Sequence, residues 1–466
     1  MQNNTTAAPL IQADRILIHG YVITMDPSRR ILRDGAAAIH GGKILAVGTT
    51  EELLKKYTGS IYDCGGGVVH PGLIDAHEHL CLHLCRGWEP DTFSIEDTWN
   101  KFEALAYPNV TREVEALSVE LATAEMLRNG TTAFSDTGSA FFPELSIAAA
   151  EKSGIRGFIA RIGGDTFQPE LSFLNHSTEG LLSLMEENLE KFSSGRIQAG
   201  AQLCGMGECS DALVVKAKTL ANRYGTPLFM HQCTYPHEVA AYLDSYGETP
   251  VQHLWKLGIL DSNTTLVHMI HLTDRDLDIL AETGTNVVHC PGASMKFGLG
   301  AFSRGKFPEL LERGVNIALG TDSGTWCDGL DILQQVYLAA VGHREARRKK
   351  CAFNSCTAFE AATLGGAKAL GLEKEIGSLE AGKQADIVIH NRSLPECCPG
   401  VDPFMDLVFS ARSKSVDTVL VEGEPVLLHG KLTRVDEEAL YARAEKAAFG
   451  FRDAIGFEVS SPWPIE

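Results

Sequence analysis

The amino-acid sequence predicts an α/β fold in which a (β/α)8 barrel occupies the middle of the chain and small β sections lie at both ends. Two patterns lead to this prediction. Short apolar runs alternate with helical patterns through the middle, whereas glycine-punctuated strand–turn–strand segments occupy the ends. The length of 466 residues agrees with one large barrel carrying appendages, since a domain averages roughly 150 residues.

The first seventy residues are expected to be rich in β-strands. The segment RILIHGYVITM is a mostly apolar run, and GAAAIHGGKILAVG gives two short strands around the turn Gly41-Gly42. The segment GGGVVHPG closes the section, and a helical period occurs only near Glu51 to Tyr57. Glycine at this density, with so little helical pattern, favours a small β domain.

The middle of the chain repeats a strand–helix unit. A helix is predicted from Glu113 to Arg128, where Asn129-Gly130 ends it, and the strand TTAFSD follows. Similar units continue as far as the helix FPELLERG and the strand VNIALGTD. Repeated βα units imply a parallel sheet, and this many of them favour a closed barrel over an open sheet.

The C-terminal section returns to strands and then ends in a helix. The segments EAGKQADIVIHN and KSVDTVLVEGEPVLLHGKL have the strand–turn–strand pattern again. In the last segment one helical stripe is expected to pack against the rest of the protein; it contains Leu440, Ala444, Ala447, Ala448 and Phe451.

Composition excludes several classes of function. With 41 Lys+Arg against 60 Asp+Glu, the formal net charge of −19 disfavours binding to nucleic acid or to an anionic membrane surface. The N-terminus lacks a signal-peptide pattern, and the sequence contains no apolar run of about 18 residues. The 12 cysteines show no paired CxxC spacing, so we expect reduced thiols and a cytoplasmic protein.

Polar side chains follow successive predicted strands at the point where each strand ends. They are His77, His79, His231, His268, His289 and Asp322. The carboxyl ends of barrel strands meet at one face, where barrel enzymes build their active sites. Neutral imidazoles together with a carboxylate suit zinc, cobalt, iron or a similar divalent ion. Each histidine alone is weak evidence, but the series at successive strand ends predicts a metal site.

Five segments carry a resemblance to a known family: PGLIDAHEHL, AEMLRNGTT, VVHCPGAS, VNIALGTDSG and GSLEAGKQADIVI. Together they resemble the amidohydrolase superfamily, and more narrowly its branch of triazine hydrolases and aminopurine or aminopyrimidine deaminases. The resemblance implies a barrel over residues 70–370. It also implies one composite β-sandwich from residues 1–69 and 371–435, with residues 436–466 as a C-terminal helix and tail. Relatives form dimers or larger assemblies, so a homo-oligomer is expected.

The resemblance also implies roles for individual residues. His77, His79, His231 and Asp322 match the family's metal ligands, and His268 matches a histidine that contacts the substrate or the developing oxyanion. Binuclear members carry a bridging lysine at the end of the fourth strand. The candidate strand here, RIQAGAQLC, ends without one, because Lys216 lies inside the following helix. One divalent ion per chain is therefore expected.

The expected chemistry is hydrolysis of a small molecule. A divalent cation lowers the pKa of bound water, so that hydroxide becomes available near neutral pH. Asp322 would take a proton from that water, and His268 would hydrogen-bond the carbonyl or imine under attack. The nucleophile adds to a trigonal carbon, and a protonated leaving group departs.

One departure from the family pattern shapes the choice of substrate. Deaminases of this branch carry a proton-shuttling glutamate three residues after the strand-five histidine, but that position is Thr234 here. Because a hydroxyl is a poor proton shuttle near pH 7, either Glu238 or His237 would have to substitute for it. In lacking the glutamate, the chain is similar to phenylurea hydrolases and molinate hydrolase.

The leading expectation is therefore a mononuclear hydrolase of a urea, carbamate or thiocarbamate, in keeping with xenobiotic degradation. One alternative is a deaminase of an aminated purine, pyrimidine or triazine, and another is a non-catalytic barrel used for assembly or binding. For the substrate pocket we expect Trp88, Thr234 and Trp326 to contribute. Arg86 is expected to tie down a loop, and Cys81 and Cys85 to pack.

Overall fold

The computed structural model describes residues 9–205, 207–459, 461 and 463 of the chain. The N-terminal strands are β1 (Ile11–Ile23), β2 (Ile31–His40), β3 (Lys43–Thr49), β4 (Tyr57–Asp63) and β5 (Val68–Pro71). The middle strands are β6 (Leu73–Glu78), β7 (Thr131–Ala140), β8 (Arg156–Arg161), β9 (Ile197–Ala199), β10 (Ala201–Gly205), β11 (Leu228–Gln232), β12 (Thr264–His268), β13 (Asn286–His289) and β14 (Ile317–Leu319). The C-terminal strands are β15 (Ile387–His390), β16 (Val416–Val421), β17 (Glu424–Leu428) and β18 (Lys431–Leu432).

Strands from both chain ends form one nine-stranded sheet, in the order β18–β17–β16–β15–β5–β1–β2–β3 with β4 beside β1. β5 joins the two ends, since it pairs parallel with β1 and antiparallel with β15. Hydrogen bonds also connect the edge at β3 with the segment that precedes β15. Ile44 N donates to Lys383 O at 2.9 Å, and Ala385 N donates to Gly42 O at 2.9 Å. The sheet thus curls round a shared core, and the expected composite β domain is confirmed.

The middle strands run parallel in two hydrogen-bonded arcs, β6–β7–β8–β9 and β10–β11–β12–β13–β14. β9 and β10 form one barrel position interrupted at Gly200, so the strands occupy eight positions. At the opposite seam, just beyond β14, Asp322 N donates to His77 O at 3.0 Å. The (β/α)8 arrangement expected from the sequence is confirmed, and this seam brings the first and last strands together at the face that carries the ligands.

Most of the helices follow barrel strands and cover them, whereas the first lies between β3 and β4. The first group is α1 (Thr50–Leu54), α2 (Ile95–Asp97), α3 (Ala104–Ala106), α4 (Arg112–Arg128), α5 (Pro143–Ser153), α6 (Thr178–Lys191), α7 (Asp211–Tyr224), α8 (Pro236–Tyr246) and α9 (Pro250–Lys256). The second group is α10 (Asp274–Thr283), α11 (Pro291–Phe297), α12 (Phe307–Glu312), α13 (Ile332–Arg347), α14 (Ser355–Glu360), α15 (Gly366–Ala369), α16 (Pro403–Asp406) and α17 (Glu437–Ile455). A π-helical turn, Thr98–Glu103, follows α2 and lies in the long segment after β6.

The local reasons for these helices are visible in the sequence. α4 begins after Thr111, whose side chain accepts from Val114 N, and ends where Gly130 adopts a φ of 85°. Its bounds differ by one residue from the predicted Glu113–Arg128. The strands β6, β7, β12, β13 and β14 are buried along their whole length, as parallel strands covered by helices should be.

The C-terminal helix α17 packs as the sequence predicts. Leu440, Ala444, Phe451 and Ile455 are buried and belong to the same apolar cluster as residues of α4. Among the described residues, no helix combines the length and the apolar character needed to cross a bilayer.

Candidate metal centre and active site

The first strand of the barrel delivers two histidines to one face. Side chains alternate along a strand, so Asp75, His77 and His79 share one side of β6 and its end. Asp322 lies directly across the seam. Its Oδ1 lies 3.6 Å from His77 Nε2 and 3.7 Å from His79 Nε2. Ligand atoms of these two histidines and Asp322 all lie within 4.8 Å of one another.

His231 and His268 complete the cluster from β11 and β12. The ring centroids of His77 and His231 are 4.8 Å apart, and His231 Nε2 lies 3.2 Å from His79 Nε2. His268 Nε2 lies 3.8 Å from Asp322 Oδ2, and its ring centroid is 5.5 Å from that of His77. Four strand ends that are far apart in sequence therefore aim nitrogen and oxygen donors at one small space.

Burial keeps these imidazoles neutral. It pushes the pKa of His77, His79 and His268 well below the ordinary range, and neighbouring imidazoles add to the effect. Burial also lowers the pKa of His231, although the Asp322 carboxylate opposes this. Neutral imidazoles can offer a ring-nitrogen lone pair to a metal ion.

Two potential metal-ligand atoms in the cluster have no hydrogen-bond partner. His77 Nε2 and Asp322 Oδ2 are buried without a hydrogen-bond partner, which is costly unless something else satisfies them. Three imidazoles with one carboxylate form a donor set that a divalent transition-metal ion accepts. The residues present therefore fit the ion that the sequence predicted.

Hydrogen bonds behind the cluster fix which ring nitrogen points inward. His77 Nδ1 lies 2.8 Å from Thr137 Oγ1 on β7, and His231 Nδ1 lies 2.5 Å from the carbonyl oxygen of Cys204. The carbonyl can only accept, so His231 Nδ1 donates and leaves Nε2 with its lone pair. Such partners orient a ligand and tune its basicity.

A second contact holds β6 against the segment after β14. Thr321 donates to the Asp75 carboxylate through its backbone N at 3.0 Å and its hydroxyl at 2.5 Å. Burial raises the pKa of Asp75 to about 7, although the hydrogen bonds from Thr321 oppose the rise. Gly320 allows this close approach, because a Cβ there would lie 2.8 Å from both Cβ and O of His77.

Backbone strain marks the same strand ends. Asp322, His268 and Cys233 adopt φ values of 68°, 71° and 53°, in the left-handed region that residues other than glycine seldom occupy. Such conformations cost free energy and persist where the surrounding structure enforces them. At Asp322 and His268 this conformation turns the chain at two members of the cluster. At Cys233 it forms part of the turn that follows β11.

The turn after β11 does not contain the proton-shuttling glutamate that the deaminase pattern places there. Thr234 is buried, and Glu238 accepts from Cys233 N at 2.7 Å and Thr234 N at 2.8 Å. Both carboxylate oxygens of Glu238 are thus engaged at the start of α8. His237 is exposed and stacks on Tyr235, with ring centroids 5.2 Å apart.

Aromatic side chains gather near the cluster. Trp326, four residues beyond Asp322, packs against Phe297 with ring centroids 4.8 Å apart, and its indole N–H donates to Glu103 at 3.4 Å. Trp99 and Tyr235 meet edge to face at 5.4 Å. Burial raises the pKa of Tyr235, and the charges of Asp322 and Glu103 raise it further. Trp99, Tyr235, Phe297 and Trp326 pack on one apolar cluster that includes Cys290, whose thiol lies near His268 and Asp322, and we call the space flanked by these rings the aromatic pocket.

Other residues from the sequence prediction lie elsewhere. The Trp88 ring contacts Phe102, Phe451 and Phe457, two of which belong to the C-terminal segment. Arg86 pairs with Glu125, which agrees with a loop-fixing role. Lys216 is exposed and pairs with Glu179 of α6. Cys81 and Cys85 are both buried in an apolar cluster.

His289 departs from the expected strand-end series. Its ring stacks on Phe307 at a centroid distance of 3.9 Å, and its Nε2 lies 3.2 Å from His343 Nε2 on α13. The side chain therefore packs against helices α12 and α13 instead of joining the donors. The alternation of side chains along a strand explains the error, because a strand-end position does not by itself specify which face a side chain takes.

Several residues of the site were not singled out from the sequence. Asp75 could have been found, since the spacing Asp75, His77, His79 places all three on one face of a strand. Glu103 and Trp99 lie four residues apart after α2, in a segment whose course the sequence pattern did not predict. Thr137 carries no sequence signal, because its role depends only on the neighbouring strand.

Comparison with known proteins gives consistent matches. The amidohydrolase family matches residues 68–426 of this chain. A 5-methylthioadenosine/S-adenosylhomocysteine deaminase of Syntrophobacter fumaroxidans is 33% identical over 439 residues, covering 94% of this chain and 98% of that protein.

Solved structures agree with the sequence matches. An adenosine deaminase from Xanthomonas campestris with bound zinc is 29% identical and has a TM-score of 0.87, covering 96% of this chain and 100% of that one. A zinc complex of atrazine chlorohydrolase from Arthrobacter aurescens TC1 has a TM-score of 0.86 at 22% identity, covering 93% and 100%. The second likeness concerns the fold alone.

Proposed function

Given that this chain belongs to the amidohydrolase family, we propose that it is a zinc-dependent deaminase of an aminated heterocycle. The family relationship makes the protein a metal-dependent hydrolase of C–N bonds, so the non-catalytic alternative is dropped. The observation that carries the proposal is the convergence of His77, His79, His231 and Asp322 on one point, in a chain similar to adenosine-type deaminases over most of its length.

The four converging residues would hold the ion. When bound, a zinc ion polarises water, so that attack on a trigonal carbon becomes feasible at neutral pH. Asp322, whose Oδ1 lies near both His77 and His79, would take a proton from the attacking water. His268 would hydrogen-bond the substrate atom on which negative charge develops.

The aromatic pocket supports a flat heterocyclic substrate. Trp99, Tyr235, Phe297 and Trp326 present ring faces and edges beside the donor cluster. Pockets lined by aromatic side chains with a few polar groups commonly bind flat apolar rings. An aminopurine or aminopyrimidine ring would fit this chemistry, with its amino-bearing carbon directed at the donors.

A second candidate is the hydrolysis of a urea, carbamate or thiocarbamate, as in the phenylurea and molinate hydrolases. One observation favours it: Thr234 occupies the shuttle position, and both oxygens of Glu238 are occupied by backbone N–H groups. A thiolate or a stabilised amine leaves with less help from a proton donor. The comparisons favour the deaminase, which the sequence analysis had ranked second.

A substrate panel separates the two candidates. The purified protein, loaded with zinc, is incubated with aminopurine nucleosides, aminopyrimidines, aminotriazines, phenylureas and thiocarbamates. Release of ammonia from a heterocycle, with nothing from the ureas or thiocarbamates, is expected. Amine or thiol release from the second group, without ammonia from the first, would reverse the choice.

Removal of the metal tests the centre itself. Chelation should abolish turnover, and one equivalent of zinc should restore it. His77→Ala should lose both the bound ion and activity, because Nε2 of that ring has no other partner. His40→Ala, at an exposed histidine on β2, serves as the control. Full activity of the metal-stripped protein would refute the proposal.

The assembly and cellular location of the protein remain proposals. We propose a homo-oligomer, which size-exclusion chromatography with light scattering would measure. A cytoplasmic location is supported by the 12 cysteines, all of which are free thiols in the structure. Cobalt or iron could replace zinc, and metal analysis of freshly isolated protein would identify the native ion.

A further inference from the structure

We propose that Glu103 delivers the proton to the departing amine, in place of the acid that is missing at the end of β11. The proposal rests on the proposed deaminase reaction and assigns one of its steps. In displacement of an amino group, the leaving nitrogen must be protonated before the C–N bond breaks, since an amide anion is far too basic to leave. A donor must therefore face the site.

The residues nearest the expected shuttle position cannot provide that proton. The side chain of Thr234 ends in a hydroxyl group, whose pKa lies far above neutrality. Glu238 is turned toward the start of α8, where Cys233 N and Thr234 N donate to its two oxygens. Using Glu238 as a shuttle would leave these N–H groups without partners. The donor must therefore come from another element.

Glu103 reaches the pocket from the segment after β6. It ends the π-helical turn Thr98–Glu103, and its Oε1 accepts from the Trp326 indole N–H at 3.4 Å. Trp326 belongs to the loop that begins with Asp322, and Trp326 N donates to Ser323 O at 2.9 Å. The indole thereby positions the carboxyl group on the Asp322 side of the pocket.

One oxygen of Glu103 remains available for a substrate. Oε2 makes no hydrogen bond with the part of the chain that the structure describes, and the Glu103 side chain is only partly buried. Because the Trp326 indole holds Glu103 Oε1, a ring bound against Trp326 would have the Glu103 carboxyl group beside it.

The electrostatic setting suits a proton donor. Burial raises the pKa of Glu103 to about 8, and the neighbouring Glu89 carboxylate adds to the rise, while the Trp326 N–H opposes it. A carboxyl group with such a pKa carries a proton at pH 7 and can give it up to a more basic amine. The hydrogen bond from Trp326 positions the Glu103 carboxyl group, and the proton that this group carries at pH 7 lets it act as an acid.

The step balances in atoms and protons. One water is consumed: its oxygen becomes the ring carbonyl, and the C–N bond to the amino group breaks with its electron pair on nitrogen. Glu103 gives its proton to that nitrogen, so ammonia leaves. Asp322 holds a proton from the attacking water, and this proton returns through pocket water to Glu103. The second proton of the water passes from the newly formed hydroxyl group to the ring nitrogen through pocket water, so the product carries a ring N–H beside the carbonyl.

The test compares two leaving groups in one variant. Glu103→Gln is nearly isosteric and keeps an oxygen that can accept from Trp326, but it cannot donate an acid proton. Zinc-loaded wild type and variant are assayed with a 6-aminopurine nucleoside and its 6-chloro counterpart. Chloride departs without a proton, whereas ammonia requires one. We expect kcat to fall by about 100-fold or more for the amino substrate, and to change little for the chloro substrate.

Matched variants sharpen the result. Glu96→Gln removes an exposed carboxylate of α2, seven positions earlier in the same segment, and should leave both rates unchanged. Glu208→Gln tests a different carboxyl group, that of Glu208, whose Oε2 would lie 3.0 Å from a Cβ at Gly205, the last residue of β10. Because the ratio of the two rates is measured within one preparation, a variant that folds only in part still gives a valid ratio. Bound zinc is measured alongside.

The outcomes are distinct. A selective loss of the amino reaction in Glu103→Gln supports the proposal. Equal losses with both substrates, no loss at all, or a selective loss in Glu208→Gln instead would overturn it while leaving the deaminase assignment intact. If the wild type releases no ammonia from any aminated heterocycle, the proposed function fails, and the assignment of Glu103 fails with it.

Discussion

The orientation of the histidine rings in the site depends on hydrogen-bond partners that lie outside the donor cluster. The imidazole of His77 offers Nε2 to the centre because Thr137 engages its Nδ1 at 2.8 Å, and the Cys204 carbonyl does the same for His231. Such hydrogen bonds select the tautomer and the angle of the ring. Metal affinity should therefore respond to residues that never touch the ion.

Replacement of Thr137 tests this dependence. Thr137→Val keeps the shape of the buried side chain but removes the hydroxyl beside His77 Nδ1. We expect zinc affinity to fall roughly 10–100-fold, the usual range for loss of such a partner. Competition against a chromophoric chelator would measure it, with the exposed Thr219→Val on α7 as the control. Unchanged affinity would show that the hydroxyl does not orient the ring.

At the scale of elements, the site depends on how closely the first and last barrel strands approach. Gly320 follows β14 and lies against the backbone of His77, so that Asp322 N can donate to His77 O at 3.0 Å. The Thr321 contacts with Asp75 reinforce the same seam. A side chain at position 320 would push apart the strands that carry three of the four ligands.

A methyl group at Gly320 should be destabilising. In Gly320→Ala the new Cβ would lie 2.8 Å from His77 O, and overpacking of this kind costs about 1–3 kcal/mol. We expect a lower free energy of unfolding in urea together with weaker zinc binding.

Gly450→Ala on the exposed face of α17 is the matched control. Apart from its chain neighbours and the helix's own backbone, no heavy atom lies within 4 Å of its Cβ position, so the same change should stabilise the helix by about 0.5–1 kcal/mol. If both variants lowered stability equally, crowding at the seam would not be the cause.

At the scale of the whole molecule, buried charges join elements that are distant in sequence. Glu125 of α4 accepts from Leu330 N at 2.9 Å and from His83 Nε2 at 3.1 Å, and it pairs with Arg86. Burial pushes the pKa of Glu125 upward, but the hydrogen bond and charge of His83, with Arg86, outweigh it and hold the pKa at about 2. This carboxylate connects α4 with the loops after β6 and β14.

The lowered pKa of Glu125 makes stability depend on pH. The group ionises at about 2 in the folded protein and at its ordinary value of 4.5 when unfolded. Its contribution is therefore fully present above 4.5 and is lost as the pH falls toward 2. Glu125→Gln should be less stable than wild type at pH 7, and the difference should shrink below pH 4.5.

Urea unfolding of the metal-free proteins across this pH range would measure the effect. Glu113→Gln, at an exposed position of the same helix, controls for the change in charge. A difference between wild type and Glu125→Gln that stays constant from pH 7 to pH 3 would contradict the assignment.

Much of the centre was predictable from sequence because strand ends in a barrel share one face. The prediction for His77, His79, His231, His268 and Asp322 needed only their positions after apolar runs and a family resemblance. The same reasoning misplaced His289, whose ring turns to Phe307 and His343. It also had no means of assigning Trp88 to packing against α17 or Glu103 to the pocket.

By itself, the sequence determined the order of strands and helices, the family, and the side chains able to bind a divalent ion. Hydrophobic periodicity, glycine punctuation and residue chemistry are local properties, and the chain displays them without reference to its fold. The tertiary structure alone decided that both oxygens of Glu238 are held by backbone N–H groups and that the Trp326 indole positions Glu103. These facts depend on distances between elements that are remote along the chain, which only packing can establish.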